Sequence, residues 1–127
     1  VGRDFEGTGY LSTNSTVNDL SNYTKIILGY CDGTLHQGYR ANPISYKGAK
    51  LYFRGAKVTR SQFKWIMKDI QILKMRLSNL TGSSAGGIAA FLWTNYVRNL
   101  VANASNVVSI PDSGIFLITK TYTTNVD

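Results

Sequence analysis

A serine flanked by glycines lies in the segment Leu80-Thr81-Gly82-Ser83-Ser84-Ala85-Gly86-Gly87. The pattern Gly82-x-Ser84-x-Gly86 is typical of a nucleophile elbow, a sharp strand-to-helix turn that presents a serine hydroxyl. Glycine is favoured beside the serine because the flanking backbones pass close to one another. A helix that begins after Ser84 would direct unpaired N–H groups and its positive dipole end at the reaction centre. The Ala85 amide is therefore the expected oxyanion donor, and the predicted chemistry is attack by Ser84 on an acyl carbonyl.

Such a turn needs a buried strand before it and a helix after it. Residues 25–30, 77–81 and 106–110 are predicted to form three adjacent parallel strands that are covered on both faces, because the first and last are apolar runs without alternation and the middle one leads into the elbow. The stretch after Ser84, from residue 88 to 101, is apolar around most of a helical circumference, which predicts a well-covered helix on that sheet. The order of strands and helices predicts an α/β fold.

Two further elements are predicted before the elbow. The sequence at residues 51–53 predicts a short strand or sheet edge between polar segments. Residues 59–62 fit a capping box, with Thr59 as the N-cap and Gln62 reaching back to it. An amphipathic helix should follow, and its apolar face is formed by Phe63, Ile66, Met67, Ile70 and Leu73.

The net charge of +7 is unevenly distributed, because ten of the 14 Lys and Arg residues fall between Arg40 and Arg76 against one acid, Asp69. This pattern fits three interpretations. The basic residues could bind nucleic acid, they could bind an anionic polysaccharide or membrane surface, or they could form a solvated face that acidic residues elsewhere balance. Nucleic acid is the least favoured, since no base-stacking motif accompanies the charge. No stretch has the length of a membrane span, and no metal or cofactor motif is present.

Secretion is indicated by four N-x-Ser/Thr sequons. Asn14, Asn22 and Asn103 are the expected N-glycosylation sites, whereas Asn79 lies in the strand predicted before the elbow and should stay unmodified. The single cysteine, Cys31, is either a buried thiol or half of a disulfide whose partner lies outside these residues. Because the chain opens on valine rather than methionine, we expect a processed or partial product.

The motifs of this chain together resemble the pectin acetylesterase family, which includes the Notum carboxylesterases. The resemblance extends from about Gly9 to Leu117 and rests on five blocks in the family's order and approximate spacing. The blocks are Leu11-Ser12 with Asn14-Ser15-Thr16, Tyr30-Cys31-Asp32-Gly33, Leu51-Tyr52-Phe53-Arg54-Gly55, Thr81-Gly82-Ser83-Ser84-Ala85-Gly86-Gly87 and Asp112-Ser113-Gly114-Ile115-Phe116.

The resemblance implies part of an α/β-hydrolase-type three-layer sandwich with a mainly parallel sheet, spanning residues 1–127 as the central segment of one domain. It implies ester hydrolysis with Ser84 as nucleophile, Gly82, Gly86 and Gly87 shaping the elbow, and a disulfide partner for Cys31 upstream of this chain. The family's Gly-Gly-Trp oxyanion loop and its triad acid and histidine would lie outside these residues.

The remaining polar residues of these blocks are expected to line or brace the site. Asp32 is one of them, and Asp112 is interpreted as a buried carboxylate paired with Arg54. The only histidine, His36, precedes Ser84, which is the wrong order for this fold's triad. We therefore expect His36 to be an ordinary exposed residue.

Three functional interpretations follow. The first is a segment of an extracellular serine carboxylesterase that removes acetyl-type groups from a glycan or protein, and which is inactive without the rest of its domain. The second is a secreted, non-catalytic glycoprotein that uses the hydrolase scaffold as a structural or binding module. The third is a polyanion-binding module. The expected partners are an acylated substrate, the remainder of the domain or further copies, and N-linked glycans.

Overall fold

The computed structural model describes residues 7–69, 78–101 and 107–116. After a short 3₁₀ turn at Gly9–Leu11, the elements in chain order are strands β1 (Ile44–Tyr46) and β2 (Ala49–Leu51), helix α1 (Gly55–Asp69), strand β3 (Ser78–Ser83), helix α2 (Ala85–Leu100) and strand β4 (Val107–Asp112). This mixed α/β arrangement agrees with the predicted fold class and with part of an α/β-hydrolase-type domain.

The elbow lies in a strand–helix–strand unit, as predicted. β3 and β4 pair in parallel, with Thr81 opposite Ile110 and Ser83 opposite Asp112. The strand was expected to end at Ile110, before Pro111, but β4 continues through Pro111 to Asp112. Proline cannot donate to a ladder, so it is tolerated where its nitrogen faces no partner strand.

The predicted strand at residues 25–30 is absent, which corrects the expected three-strand arrangement. This segment lies beside β3 without joining its ladder, and Ile26 and Leu80 line one cavity between them. Ile27 on the same segment is exposed. An apolar run indicates burial, but strand pairing also requires an available edge at hydrogen-bonding distance, and the run itself carries no information about that edge.

A β-hairpin replaces the edge strand predicted at residues 51–53. β1 and β2 are antiparallel, and Tyr46 opposite Ala49 leaves a two-residue turn, Lys47-Gly48. Both turn residues have positive φ, 47° and 80°, as a type I′ turn requires. Only Leu51 of the predicted segment belongs to the strand. Lysine is not a typical residue for this turn, which explains why the sequence of this polar segment does not predict the hairpin.

α1 begins four residues before the predicted capping box. Thr59 is therefore inside the helix, where it is 2% exposed, and does not cap it. Phe63 and Ile66 lie on the buried face as predicted, and Met67 is half-buried. Ile70 and Leu73 lie outside the described residues.

The core forms where α1, α2 and β4 meet. Its buried members are Phe63, Ala89, Trp93, Val97, Val101 and Val107. Trp93 contacts Tyr96 edge-to-face at 5.2 Å and Phe63 at 5.9 Å between ring centroids, distances that suit favourable aromatic pairs. The opposite side of α2 is less covered, because Phe91 and Leu92 are exposed. None of the described helices has the length and apolarity to cross a membrane.

Candidate active site

Ser84 occupies the single residue between the end of β3 and the start of α2. Its backbone has φ 52° and ψ −114°, a conformation that costs a non-glycine residue about 1–3 kcal/mol. The residue is exposed. A strained, exposed serine at a strand-to-helix junction is the geometry of a nucleophile elbow.

Close backbone packing explains two of the three glycines in the elbow. A Cβ on Gly82 would overlap the carbonyl group of Gly86, and a Cβ on Gly87 would overlap the carbonyl oxygen of Asp112 and the backbone of Gly114. A Cβ on Gly86 would point into open space. The space beside Gly86 is therefore free for another group near Ser84, whereas Gly82 and Gly87 are required by the fold of the turn.

The first amides of α2 precede the hydrogen bonds of the helix. The Ser84 N–H donates to the Asp112 carbonyl at 3.0 Å, and the first intrahelical bond runs from the Ile88 N–H to the Ser84 carbonyl at 3.1 Å. The N–H groups of Ala85, Gly86 and Gly87 precede that bond and have no acceptor within the helix. This arrangement allows the Ala85 amide to serve as the oxyanion donor that the sequence predicts.

Asp112 and Arg54 do not form the expected buried pair. The Asp112 side chain is exposed and accepts a hydrogen bond from the Ser113 hydroxyl at 3.1 Å. The Arg54 guanidinium instead contacts the Ala41 carbonyl at 3.4 Å and lies 5.3 Å from the Tyr52 ring centroid. Asp112 braces the elbow through its carbonyl, and its carboxylate needs no cationic partner because it remains in water.

Asp32 links two of the sequence blocks. One carboxylate oxygen accepts hydrogen bonds from the N–H and hydroxyl of Thr34 at 3.1 and 2.8 Å, and the other accepts from the Arg54 N–H at 2.6 Å. Desolvation raises the pKa of Asp32, but hydrogen bonds from Thr34, Arg54 and Gly55 outweigh this effect and lower the pKa below its ordinary value. A carboxylate at the first residues of α1 performs the role of an N-cap.

His36 is buried, which corrects the expectation of an exposed residue. Its ring stacks on Tyr30 at 4.6 Å between centroids, and its Nδ1 lies 3.4 Å from the Thr59 hydroxyl oxygen. Its carbonyl accepts a 3.2 Å hydrogen bond from the Trp93 indole. Burial lowers the pKa of His36 below 6.5, and the charge of Asp32 offsets part of that effect. These contacts give His36 a structural role between α1 and α2.

The predicted glycosylation sites and the asparagine predicted to stay unmodified differ in solvent exposure. Asn14 and Asn22 are exposed, whereas Asn79 is half-buried within β3. The Asn14 side-chain oxygen accepts hydrogen bonds from the N–H and hydroxyl of Thr16. Cys31 is a free thiol that is exposed among the described residues. Asn103 lies outside the described residues.

A family model described as Pectinacetylesterase matches residues 2–127. The chain belongs to the pectinacetylesterase family. It is 31% identical over 129 residues to pectin acetylesterase 7 of Arabidopsis thaliana, an alignment that covers 97% of this chain and 31% of that relative.

Pectin acetylesterase 5 of the same plant is 32% identical over 115 residues, covering 86% of this chain and 25% of the relative. Pectin acetylesterase 11 is 30% identical over 97% of this chain and 31% of the relative. The chain thus spans about a third or less of the length of these relatives. No solved structure gives a significant match.

In this member of the pectinacetylesterase family, sequence reasoning missed the contact between His36 and Trp93. The two residues are 57 positions apart, and the indole bonds a backbone carbonyl, which any residue could supply. Leu35 and His36 form a turn in which both residues have positive φ, 56° and 61°. Histidine is among the residues enriched in that conformation, but this preference is too weak to predict the turn.

Proposed function

We propose that this chain is the nucleophile-bearing segment of a serine carboxylesterase that removes acetyl groups from a glycan. The observation that carries the proposal is the strained backbone of Ser84, φ 52° and ψ −114°, at the junction of β3 and α2. Strain of this kind persists only where the surrounding structure fixes it, and here Gly82, Gly87 and the Asp112 carbonyl do so.

In the proposed reaction, the Ser84 oxygen attacks the ester carbonyl carbon while a base accepts its proton. The carbonyl oxygen becomes an oxyanion, which accepts a hydrogen bond from the Ala85 N–H. When the C–O bond to the sugar breaks, the protonated base returns its proton to the sugar oxygen, and the acetyl group remains on Ser84. Water then attacks the acyl-enzyme, and acetate and the free serine are released.

The base is proposed to come from sequence outside these 127 residues. His36 is the chain's only histidine. Its buried ring stacks on Tyr30 and its Nδ1 contacts the Thr59 hydroxyl. A base must reach the serine hydroxyl within hydrogen-bond distance, directly or through one water. The oxyanion loop and the triad acid are likewise proposed to lie outside the chain.

The acetylated glycan is proposed as substrate because the relatives are named pectin acetylesterases. Secretion, N-linked glycans and a disulfide at Cys31 belong to the same proposal. It is supported by the exposed sequons at Asn14 and Asn22 and by the exposed Cys31 thiol. Glycopeptide mass spectrometry should find sugar at Asn14, Asn22 or Asn103 and none at Asn79, and an occupied Asn79 would contradict the described position of β3.

The test uses the full-length protein, expressed with its native flanking sequence, in wild-type, Ser84→Ala and Ser83→Ala forms. Ser83 is the matched control because it is an exposed serine that ends β3. Hydrolysis of p-nitrophenyl acetate and labelling by a fluorophosphonate should be lost in Ser84→Ala and retained in Ser83→Ala. Residual hydrolysis should be at least about 10³-fold below wild type. Equal turnover above the uncatalysed rate in Ser84→Ala would contradict the assignment of the nucleophile, and a wild type without turnover would contradict the proposal and favour the non-catalytic module.

A further inference from the structure

A row of lysines runs along the side of α1 that is turned away from the core. We call this side of the helix the lysine-tryptophan face, and it comprises Lys57, Ser61, Lys64 and Lys68 in the row and Val58 and Trp65 beside it. All of these side chains are exposed, Trp65 by 57% and Val58 by 40%. The helical repeat places the row opposite Phe63 and Ile66, which are buried. Because the opposite side of α1 packs in the core, the lysine-tryptophan face is held outward.

The cations of α1 are not spaced for neutralisation by an acid of the same helix. The helix contains Lys57, Arg60, Lys64 and Lys68 and one acid, Asp69, at its last residue. Side chains meet on a helix surface when they are three or four residues apart, and Asp69 has that spacing from none of the four cations. Lys64 and Lys68 are four residues apart, so their like charges destabilise the helix. An anionic partner would relieve this repulsion.

The lysine-tryptophan face is a straight, convex ridge. From Lys57 to Lys68 it extends for about 16 Å along the helix axis, at about 1.5 Å per residue. Neighbouring lysines of the row are separated along the axis by about 6 to 11 Å, which is comparable with the Debye length of about 10 Å in 0.1 M salt, so their fields add. A convex ridge meets a planar surface along its whole length, but it offers a flexible polymer no groove.

We propose that the lysine-tryptophan face holds the protein on an anionic membrane surface. Lysine side chains are long enough to keep their ammonium groups among the lipid headgroups while their stems cover apolar surface. Trp65 and Val58 supply the apolar contact, and tryptophan is enriched at membrane–water interfaces. The whole folded face adsorbs, and no segment crosses the membrane. This inference goes beyond the proposed esterase function and does not depend on Ser84.

Nucleic acid fits the lysine-tryptophan face less well than a lipid surface. Lysine is a point charge and lacks the planar fork with which arginine binds a phosphate group bidentately. The arginine of α1, Arg60, has its guanidinium 5.9 Å from the centroid of the Tyr96 ring on α2. Trp65 is the one aromatic side chain of the face, whereas proteins that bind single strands use several rings on which successive bases stack. A charged lipid surface requires neither feature.

The test is co-sedimentation of the full-length protein with vesicles of phosphatidylcholine, alone or with about one third phosphatidylserine. In about 0.1 M NaCl the wild type should bind the anionic vesicles at least about 10-fold more tightly than the neutral ones, and about 0.5 M NaCl should release it. Lys64→Gln/Lys68→Gln should weaken binding by about 5- to 25-fold. The matched control, Lys47→Gln/Lys50→Gln, removes two exposed lysines of the hairpin and should change binding by less than about 2-fold.

The apolar contact is tested by Trp65→Ser, which should weaken binding by at least about 3-fold. Its control is Tyr46→Ser, because Tyr46 is also 57% exposed, and this change should alter binding by less than about 2-fold. Circular dichroism and thermal unfolding show that each variant is folded. Equal binding to neutral and anionic vesicles, or equal weakening by the face and control variants, would overturn the proposal. An RNA homopolymer that binds more tightly than the vesicles, and that Lys64→Gln/Lys68→Gln releases, would replace the lipid by nucleic acid. Ser84→Ala should bind vesicles like the wild type, so failure of the esterase activity is recognised separately.

Discussion

The backbone amide of Ser84 donates a 3.0 Å hydrogen bond to the carbonyl of Asp112, the last residue of the neighbouring strand. The bond extends the β3–β4 ladder by one step beyond the Ser83–Asp112 pair. The sheet therefore fixes the residue at which the chain turns into α2. The strain at Ser84 is imposed by a strand that follows it by nearly thirty residues in sequence.

Replacement of Ser84 by glycine should stabilise the fold relative to replacement by alanine. Alanine at φ 52° retains the strain of a Cβ in a left-handed backbone, whereas glycine adopts it freely. The free energy of unfolding of the Ser84→Gly variant should be about 1 kcal/mol higher than that of the Ser84→Ala variant. Chemical denaturation of the two inactive full-length variants measures the difference. A less stable glycine variant would show that the positive φ is wrong.

Gly87→Ala and Gly86→Ala form a matched pair that tests backbone packing at the elbow. A Cβ on Gly87 overlaps the Asp112 carbonyl and Gly114, so Gly87→Ala should lower the free energy of unfolding by about 1–3 kcal/mol. A Cβ on Gly86 meets open space, so Gly86→Ala should raise stability by about 0.5–1 kcal/mol through helix propensity. Thermal unfolding of both variants shows which one is more stable. Equal changes in stability would contradict the described contacts of Gly87.

Stability should fall in mild acid because of His36. Its pKa is below 6.5 in the folded protein, so the unfolded chain binds the proton first as the pH decreases. The stabilisation is complete above pH 6.5 and is lost as the pH falls towards the folded pKa. Tm should therefore decrease between about pH 7 and about pH 5. His36→Asn, which tolerates the positive φ, should show a smaller decrease. An identical pH profile would mean that this ring does not titrate differently on unfolding.

Residues 1–127 expressed alone should aggregate or remain partly unfolded. Large apolar side chains are exposed on α2 and after β4, including Phe91, Leu92 and Ile115, which is 88% exposed. A dye that binds apolar surface, such as ANS, should fluoresce strongly with this fragment, and p-nitrophenyl acetate turnover should equal that of its Ser84→Ala variant. Cooperative unfolding together with Ser84-dependent turnover would instead require a base within the chain, and His36 is the only histidine.

The strand, turn and helix around Ser84 were predictable because each has a local signal. β4 begins with an apolar run, β3 leads directly into the Gly82-x-Ser84-x-Gly86 pattern, and α2 follows this glycine-rich turn without interruption. The close approach of the Gly86 carbonyl that this turn requires is encoded directly by glycine at position 82. Local sequence was sufficient wherever the structure depends on neighbours along the chain.

The start of α1 and the burial of His36 were not predictable, since both depend on distant residues. The Asp32 carboxylate accepts a hydrogen bond from the Arg54 N–H, although the two residues are 22 positions apart in sequence. α1 therefore begins at Gly55, and the capping box at Thr59 is not used. His36 is buried by the aromatic ring of Tyr30 and by Trp93. Strand pairing likewise cannot be predicted from composition alone. Residues 25–30 are apolar and were predicted to pair with β3, but the structure contains no strand there.

The contact between the Asp32 carboxylate and the Arg54 N–H has a consequence for hydrogen exchange. Amides at the first turn of a helix usually exchange quickly, because they have no acceptor within the helix. The Arg54 amide should instead exchange only when the loop at residues 32–38 separates from α1, since its 2.6 Å hydrogen bond ends on that loop. Its exchange rate is therefore a direct report on how often the N-terminal loops detach while β3, α2 and β4 remain folded.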